Sequence, residues 1–121
     1  MKSSTNEIAL REFAESDAPD IIRIDSVQSG LEKPDYWKER LKTFTGKPTK
    51  NKLTLGYVAQ IEGKVVGYIF AEGRALEFGS PLCGWIFAIA VDPEFARKGI
   101  ALRLCREVCL KFKALGIHTI R

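Results

Sequence analysis

The chain has 121 residues (13.5 kDa), of which 45% are hydrophobic and 28% charged, with a formal net charge of +4 and a pI near 9.1. That length holds one compact domain and excludes two. The mild basicity suits an acidic ligand but falls short of a nucleic-acid-binding signature, and no run of about 18 apolar residues exists to span a membrane.

The opening Met1-Lys2-Ser3-Ser4-Thr5-Asn6 lacks the apolar core of a secretory signal, so a cytoplasmic setting is expected. Ile8 and Leu10 alternate with Ala9 and Arg11 and predict a first strand over residues 8–13. Ser16 or Asp17 is placed to cap a following helix, with Pro19 in its first turn and Ile21, Ile22 and Ile24 on its buried side. A second helix is predicted from Pro34, where Trp37, Leu41 and Phe44 fall on one face. A basic, turn-rich loop over 45–52 contains Gly46 and Pro48. Strands over Thr54–Ile61 and Lys64–Ala75 follow. Glu62-Gly63 between them is a hairpin signal, and Gly67 points to a bulge.

A polar connection over 77–84 leads to a fourth strand over 85–91, whose apolar run predicts cover on both faces. Asp92-Pro93 stops it, because Pro93 has no N–H for a sheet. The main helix runs to about Leu115, with Ala101, Leu104, Cys105, Val108, Phe112 and Leu115 as its apolar stripe and Gly116 as its stop. Residues 117–121 begin a fifth strand. The order β-α-α-β-β-β-α-β predicts an α+β, three-layer fold. Its sheet is mixed and mostly antiparallel, with a right-handed parallel β-α-β crossover over 85–121.

The richest stretch is Ile89-Ala90-Val91-Asp92-Pro93-Glu94-Phe95-Ala96-Arg97-Lys98-Gly99-Ile100-Ala101. It reads as a strand, a turn and a helix start. The first N–H groups of a helix lack internal partners, and the helix dipole favours an anion there. Gly99 permits close approach to the backbone, and Arg97 and Lys98 add charge. The construction predicts a site for a phosphorylated ligand. Standing alone, it is explained equally well by a core strand followed by a solvated helix start.

Cys83, Cys105 and Cys109 are odd in number and lack framework spacing, which suits a reducing compartment. Cys105 and Cys109 share a helix face, and His118 is a conceivable distant third metal ligand. That set falls short of the four ligands of a structural zinc, so packing is expected and no metal site.

The element order and the segment from Ile89 to Ala101 resemble the GNAT superfamily, the acyl-CoA-dependent N-acyltransferases. Similar proteins carry an apolar strand, Val-x-Pro, then Arg/Gln-x-x-Gly-x-Gly/Ala opening a helix. Here Val91-Asp92-Pro93 and Ala96-Arg97-Lys98-Gly99-Ile100-Ala101 match, with Ala96 in place of the usual Arg or Gln. Glu62-Gly63-Lys64-Val65-Val66-Gly67 is similar to the family's hairpin. The resemblance implies a cofactor-binding set. Ile89, Ala90 and Val91 would meet the pantetheine arm of acetyl-CoA, and the N–H groups of Arg97, Lys98, Gly99, Ile100 and Ala101 its pyrophosphate. It also implies one GNAT-like acetyl-CoA-binding domain over 1–121, without the family's usual C-terminal helix and strands. A tyrosine commonly carried there protonates the departing CoA thiolate, and the sequence assigns no residue to that role.

The implied activity is N-acetyl transfer from acetyl-CoA to a small-molecule or peptide amine by direct attack. The alternatives are a non-catalytic CoA-binding or interaction module and, further off, a nucleic-acid binder using Lys47, Lys50 and Lys52. The catalytic base and acid are unknown. Glu72 and Glu77 read as solvated residues, and His118 as a strand-edge residue. Tyr36 and Trp37 fall on a helix that borders the acceptor groove in similar proteins. A homo-oligomer is expected, because an unpaired edge and an uncovered face invite association.

Overall fold

A computed structural model describes residues 7–44, 53–75 and 82–121. Strand β1 (Ile8–Glu12) is followed by a 3-10 turn (Glu15–Asp17), helix α1 (Ala18–Ser29) and helix α2 (Pro34–Thr43). Strands β2 (Thr54–Ile61), β3 (Lys64–Ala75) and β4 (Leu82–Val91) come next, then a 3-10 turn (Pro93–Phe95) and helix α3 (Ile100–Ala114). The strands form one antiparallel sheet in the order β1-β2-β3-β4.

The expected mixed sheet with a parallel β-α-β crossover is not what forms. Residues 117–121 contribute one isolated parallel bridge, Gly84 to Ile120, and no fifth strand. Ile117 N is still tied to Phe112 O at 2.8 Å, so the first residues past α3 are spent leaving the helix. Only Thr119 and Arg121 exchange hydrogen bonds with Gly84 and Ile86, which makes one bridge and not a ladder. The sheet is therefore four-stranded and wholly antiparallel.

The hairpin between β2 and β3 turns as its residues require. Glu62 and Gly63 both have positive φ (52° and 81°), the two-residue turn whose twist matches the strands. Three positions further on lies the expected bulge: Ala59 pairs with Gly67 but Gln60 with Val65, leaving Val66 extra. One extra residue inverts the alternation of the strand. Val65, Tyr68 and Phe70 consequently share one core, while Val66, Ile69 and Ala71 share the other. A second bulge interrupts β4, where Phe70 pairs with Ala88 and Ala71 with Ile86, leaving Phe87 extra.

Each face of the sheet is covered. Ile100, Leu104, Val108 and Phe112 of α3 pack on Leu55, Tyr57, Val66 and Ile69. Ile21 and Ile24 of α1, Trp37 and Leu41 of α2, and Phe13 and Phe44 pack on Val58, Tyr68 and Phe70. Gly56 leaves room there, since a Cβ would lie 2.6 Å from Phe13 and 2.7 Å from Phe70. The α3 stripe is narrower than expected: Ala101 and Cys109 are exposed and Cys105 and Leu115 half-buried. Helix α1 begins where expected, but Asp17 does not cap it. Its carboxylate accepts Ala14 N–H at 2.8 Å and both Arg11 Nη groups at 2.9 and 2.8 Å.

Strand β4 starts at Leu82, earlier than the expected 85. Gly84, the last residue of the connection expected over 77–84, lies in the strand and is a close-approach residue: a Cβ would lie 2.6 Å from the Phe112 ring. Among the described residues, no helix is long and apolar enough to cross a membrane. Glu77, Lys47, Lys50 and Lys52 lie outside the described residues.

Candidate functional site

Bulging at Phe87 turns β4 so that successive residues do not alternate cleanly. Phe87, Ala88 and Ala90 pack toward α1 and α2, and Ile86 and Val91 toward α3. A cleft of about 600 Å³ opens between this part of β4 and the two helices. Ile86 to Ala90 line it along the strand, with Asp25 and Gln28 from α1, Tyr36 and Trp37 from α2, Lys33 just before α2, and Tyr68 from β3. The expected cover on both faces of β4 fails here: Ile89 is exposed and 85–88 are only half-buried. Beyond Ile86, whose N–H is taken by Arg121 O at 2.9 Å, the outer edge of β4 has no strand beside it among the described residues.

The aromatic wall is braced by its own contacts. Trp37 meets Tyr36 at 5.3 Å and Tyr68 at 5.5 Å between ring centroids, both edge to face. Trp37 Nε1 donates to Asp25 Oδ2 at 3.1 Å, so the indole is core on one side and a clamp for a cleft carboxylate on the other. Burial raises the Tyr68 hydroxyl well above its ordinary value, and the charge of Asp25 adds to this. Tyr68 therefore stays protonated at neutral pH and can donate a hydrogen bond; it cannot act as a base.

Past β4 the chain reaches α3 through Pro93–Phe95. Asp92 organises this turn: its carboxylate accepts Glu94 N–H at 3.0 Å and Arg23 Nη1 at 2.8 Å. Arg97 and Gly99 both lie in the left-handed region (φ 66° and 76°), and Gly99 stands at the N-cap of α3. The N–H groups of residues 99–102 have no acceptor among the described residues. Arg97, Lys98 and Gly99 are exposed. Consecutive amides of this kind, at the positive end of a helix dipole and beside two cations, are an arrangement that favours an anion on physical grounds.

The structure distributes the expected residues over two adjoining surfaces. Ile89 and Ala90 line the cleft. Val91 is half-buried, and its carbonyl accepts Gln28 Nε2 at 3.3 Å. Arg97, Lys98, Gly99 and Ala101 are exposed at the helix start, while Ile100 is buried close over Gly67. Glu72 is paired with Arg74 at 2.8 Å and is not part of the cleft lining; His118 is exposed. Asp25, Gln28, Lys33 and Tyr68 are the polar cleft residues that sequence reasoning missed. Asp25 carries no local motif, and only the Val66 bulge turns Tyr68 to this face. Among the described residues there is no group of three or more His, Cys, Asp or Glu side chains able to hold a metal ion.

Residues 14–121 match the family described as Acetyltransferase (GNAT) family. The chain is 30% identical over 108 residues to an uncharacterized N-acetyltransferase, YjhQ, of Escherichia coli (strain K12). That alignment covers 87% of this chain and 57% of the relative, so the chain spans little more than half the relative's length. A transcriptional regulator from Bacillus halodurans C-125 superposes with a TM-score of 0.79 at 17% identity, covering 94% of this chain and 79% of that one. An aminoglycoside N-acetyltransferase in complex with CoA superposes with a TM-score of 0.77 at 14% identity, covering 94% and 74%. At these identities the likeness to solved structures is one of fold.

Proposed function

The chain belongs to the acetyltransferase (GNAT) family, and from that premise we propose that it transfers an acetyl group from acetyl-CoA to a primary amine. The observation that carries this reading is the pairing of an anion-binding helix start with an adjoining cleft along the open edge of β4.

The donor set suits a pyrophosphate. The amides at 99–102 are unpaired and the backbone at Arg97 and Gly99 is left-handed. A Cβ on Gly99 would meet nothing within 4 Å, so the backbone there is open to a ligand. Residues 97–101 would hold the phosphates, and the main chain of Ile89, Ala90 and Val91 would hold the amide-bearing arm by the hydrogen bonds a neighbouring strand would otherwise make. Ala96 withholds a side-chain contact common in similar proteins, and backbone amides and the two cations take the larger share.

Acetyl-CoA supplies, when bound, an electrophilic thioester carbonyl and a thiolate leaving group. The residues of this chain have three tasks around it. The acceptor amine must attack as the free base, so the cleft has to let its proton leave to solvent or to a base. Backbone N–H groups on the open edge of β4 can stabilise charge developing on the carbonyl oxygen, a contribution of about 3 kcal/mol in comparable sites. Tyr68, held protonated, can donate to developing negative charge inside the cleft.

Calorimetric titration with acetyl-CoA tests the binding half of the reading, and thiol release with a panel of amines tests the transfer. Saturable binding that weakens in Arg97→Ala with Lys98→Ala is expected. An absence of saturable binding overturns the proposal. Binding without turnover across the panel favours the non-catalytic module instead.

A further inference from the structure

Asp25 is the one carboxylate among the described residues that line the cleft. Its side chain is 18% exposed. Trp37 Nε1 holds its Oδ2 at 3.1 Å, and Lys33 Nζ lies 3.5 Å from the same oxygen. No other hydrogen bond to this carboxylate comes from a described residue. The Lys33 side chain is 37% exposed on a flexible stem, so its ammonium is a loosely held counter-ion rather than a fixed partner.

The rest of the wall is also built for a cation. The rings of Tyr36, Trp37, Tyr68 and Phe87 border the cleft, and aromatic faces attract positive charge. Phe87 already carries one cation on a face, with the Arg40 guanidinium carbon 4.4 Å from its centroid. Yet an amine under attack must be neutral. A carboxylate in the same cleft is therefore matched by some other nitrogen, one that stays charged.

Resting on the acetyl-transfer reading, we propose that the acceptor carries a second, cationic amine, and that Asp25 is the specificity-determining residue that holds it. Lys33 Nζ keeps that place until the acceptor arrives, and an incoming ammonium exchanges with it like for like. The cleft, at about 600 Å³, has room for a short aliphatic diamine. In the transfer, the free-base nitrogen forms the new C–N bond. The C–S bond breaks with its electron pair on sulfur, and the proton from nitrogen passes to the sulfur, directly or through solvent. The ammonium at Asp25 is unchanged, so the product is a monocationic N-acetylated amine and a CoA thiol.

The test compares 1,5-diaminopentane with pentylamine, which match in apolar length and differ in the second charge. Binding of each to the protein is measured by NMR titration without cofactor, turnover by thiol release, and acetyl-CoA affinity separately by calorimetry. The diamine is expected to show a KM about tenfold below that of pentylamine, the scale of one partly desolvated ion pair. Asp25→Asn keeps an oxygen for Trp37 and should erase the difference by raising the diamine KM. Lys33→Met removes the resident ammonium and should tighten the diamine. Equal use of the two amines by the wild-type protein overturns the inference. So does a fall in kcat for both amines alike in Asp25→Asn with unchanged KM, which would make Asp25 a proton acceptor. Selective diamine binding without acetyl-CoA binding faults the transfer reading alone, whereas acetyl-CoA binding without diamine selectivity faults this inference alone.

Discussion

Arg23 Nη1 donates to Asp92 Oδ2 at 2.8 Å, joining the middle of α1 to the residue that ends β4. The same guanidinium reaches Val65 O at 3.1 Å, and Asp92 N–H donates to Val66 O at 2.8 Å. One ion pair thus ties α1, the bulge of β3, the end of β4 and the turn into α3 at the junction of the cleft and the helix start. Removing Asp92 leaves the guanidinium with Asp20, at 3.5 Å, as its charged partner and frees Glu94 N–H. Asp92→Ala should cost about 2 kcal/mol, seen as a lower denaturant midpoint. In a double-mutant cycle with Arg23→Met the two losses should fall well short of adding; full additivity would show that the pair does not act as a unit.

Acid sensitivity follows from the same carboxylate and from Asp17. For both, burial opposes ionisation, but it is outweighed by the hydrogen bond from an arginine (Arg23 or Arg11), a backbone N–H and nearby positive charge. Their values in the folded protein therefore lie below the ordinary carboxylate value. The unfolded chain takes up these protons first, so the stabilisation is complete above about pH 4 and is lost as the pH falls through the folded values. Asp17→Asn with Asp92→Asn should flatten the decline in stability below about pH 4 measured by urea unfolding. An unchanged slope would rule these two groups out as its source.

Gly84 offers a packing test away from the ligand surfaces. Its missing Cβ is the space filled by Phe112. Gly84→Ala should destabilise the protein by about 2 kcal/mol through overpacking, lowering the thermal midpoint. Combining it with Phe112→Leu should recover part of the loss. Failure of the smaller ring-free side chain to help would mean that strand pairing, and not the Phe112 contact, sets the cost.

At Gly99 the constraint is backbone conformation, since φ is 76° and no neighbour lies within 4 Å of a Cβ. Gly99→Val forces a β-branched residue into the left-handed region or shifts the loop, and either change spoils the row of amides. Acetyl-CoA affinity should fall at least about tenfold, or 1.4 kcal/mol. Unchanged affinity in calorimetry would move the phosphate site elsewhere.

How much was legible in the sequence differs element by element. The Glu62-Gly63 hairpin, a bulge beside Gly67, the Asp92-Pro93 stop and a helix start soon after it could all be read, because each is set by φ preferences and missing donors within a few residues. The four strands and three helices followed from periodicity, but their assembly did not: a mixed sheet with a parallel crossover was expected and a wholly antiparallel one forms. The candidate helix-start residues, Arg97 to Ala101, belong to the same local class. The cleft does not. Asp25, Lys33, Tyr36 and Trp37 lie on or beside two helices, and meet Tyr68 and the 86–90 segment only when both bulges have been placed. An inserted residue reverses the side-chain parity of everything after it, and which residue is inserted depends on pairing with a distant strand. The same dependence misled the reading of Gly84, whose role is to admit Phe112, and of residues 117–121, which make one bridge instead of a strand. Covalent geometry and local periodicity determined the elements and the helix-start motif. Long-range packing alone decided which side chains face one another across the cleft, because burial is a property of the neighbours and not of the segment.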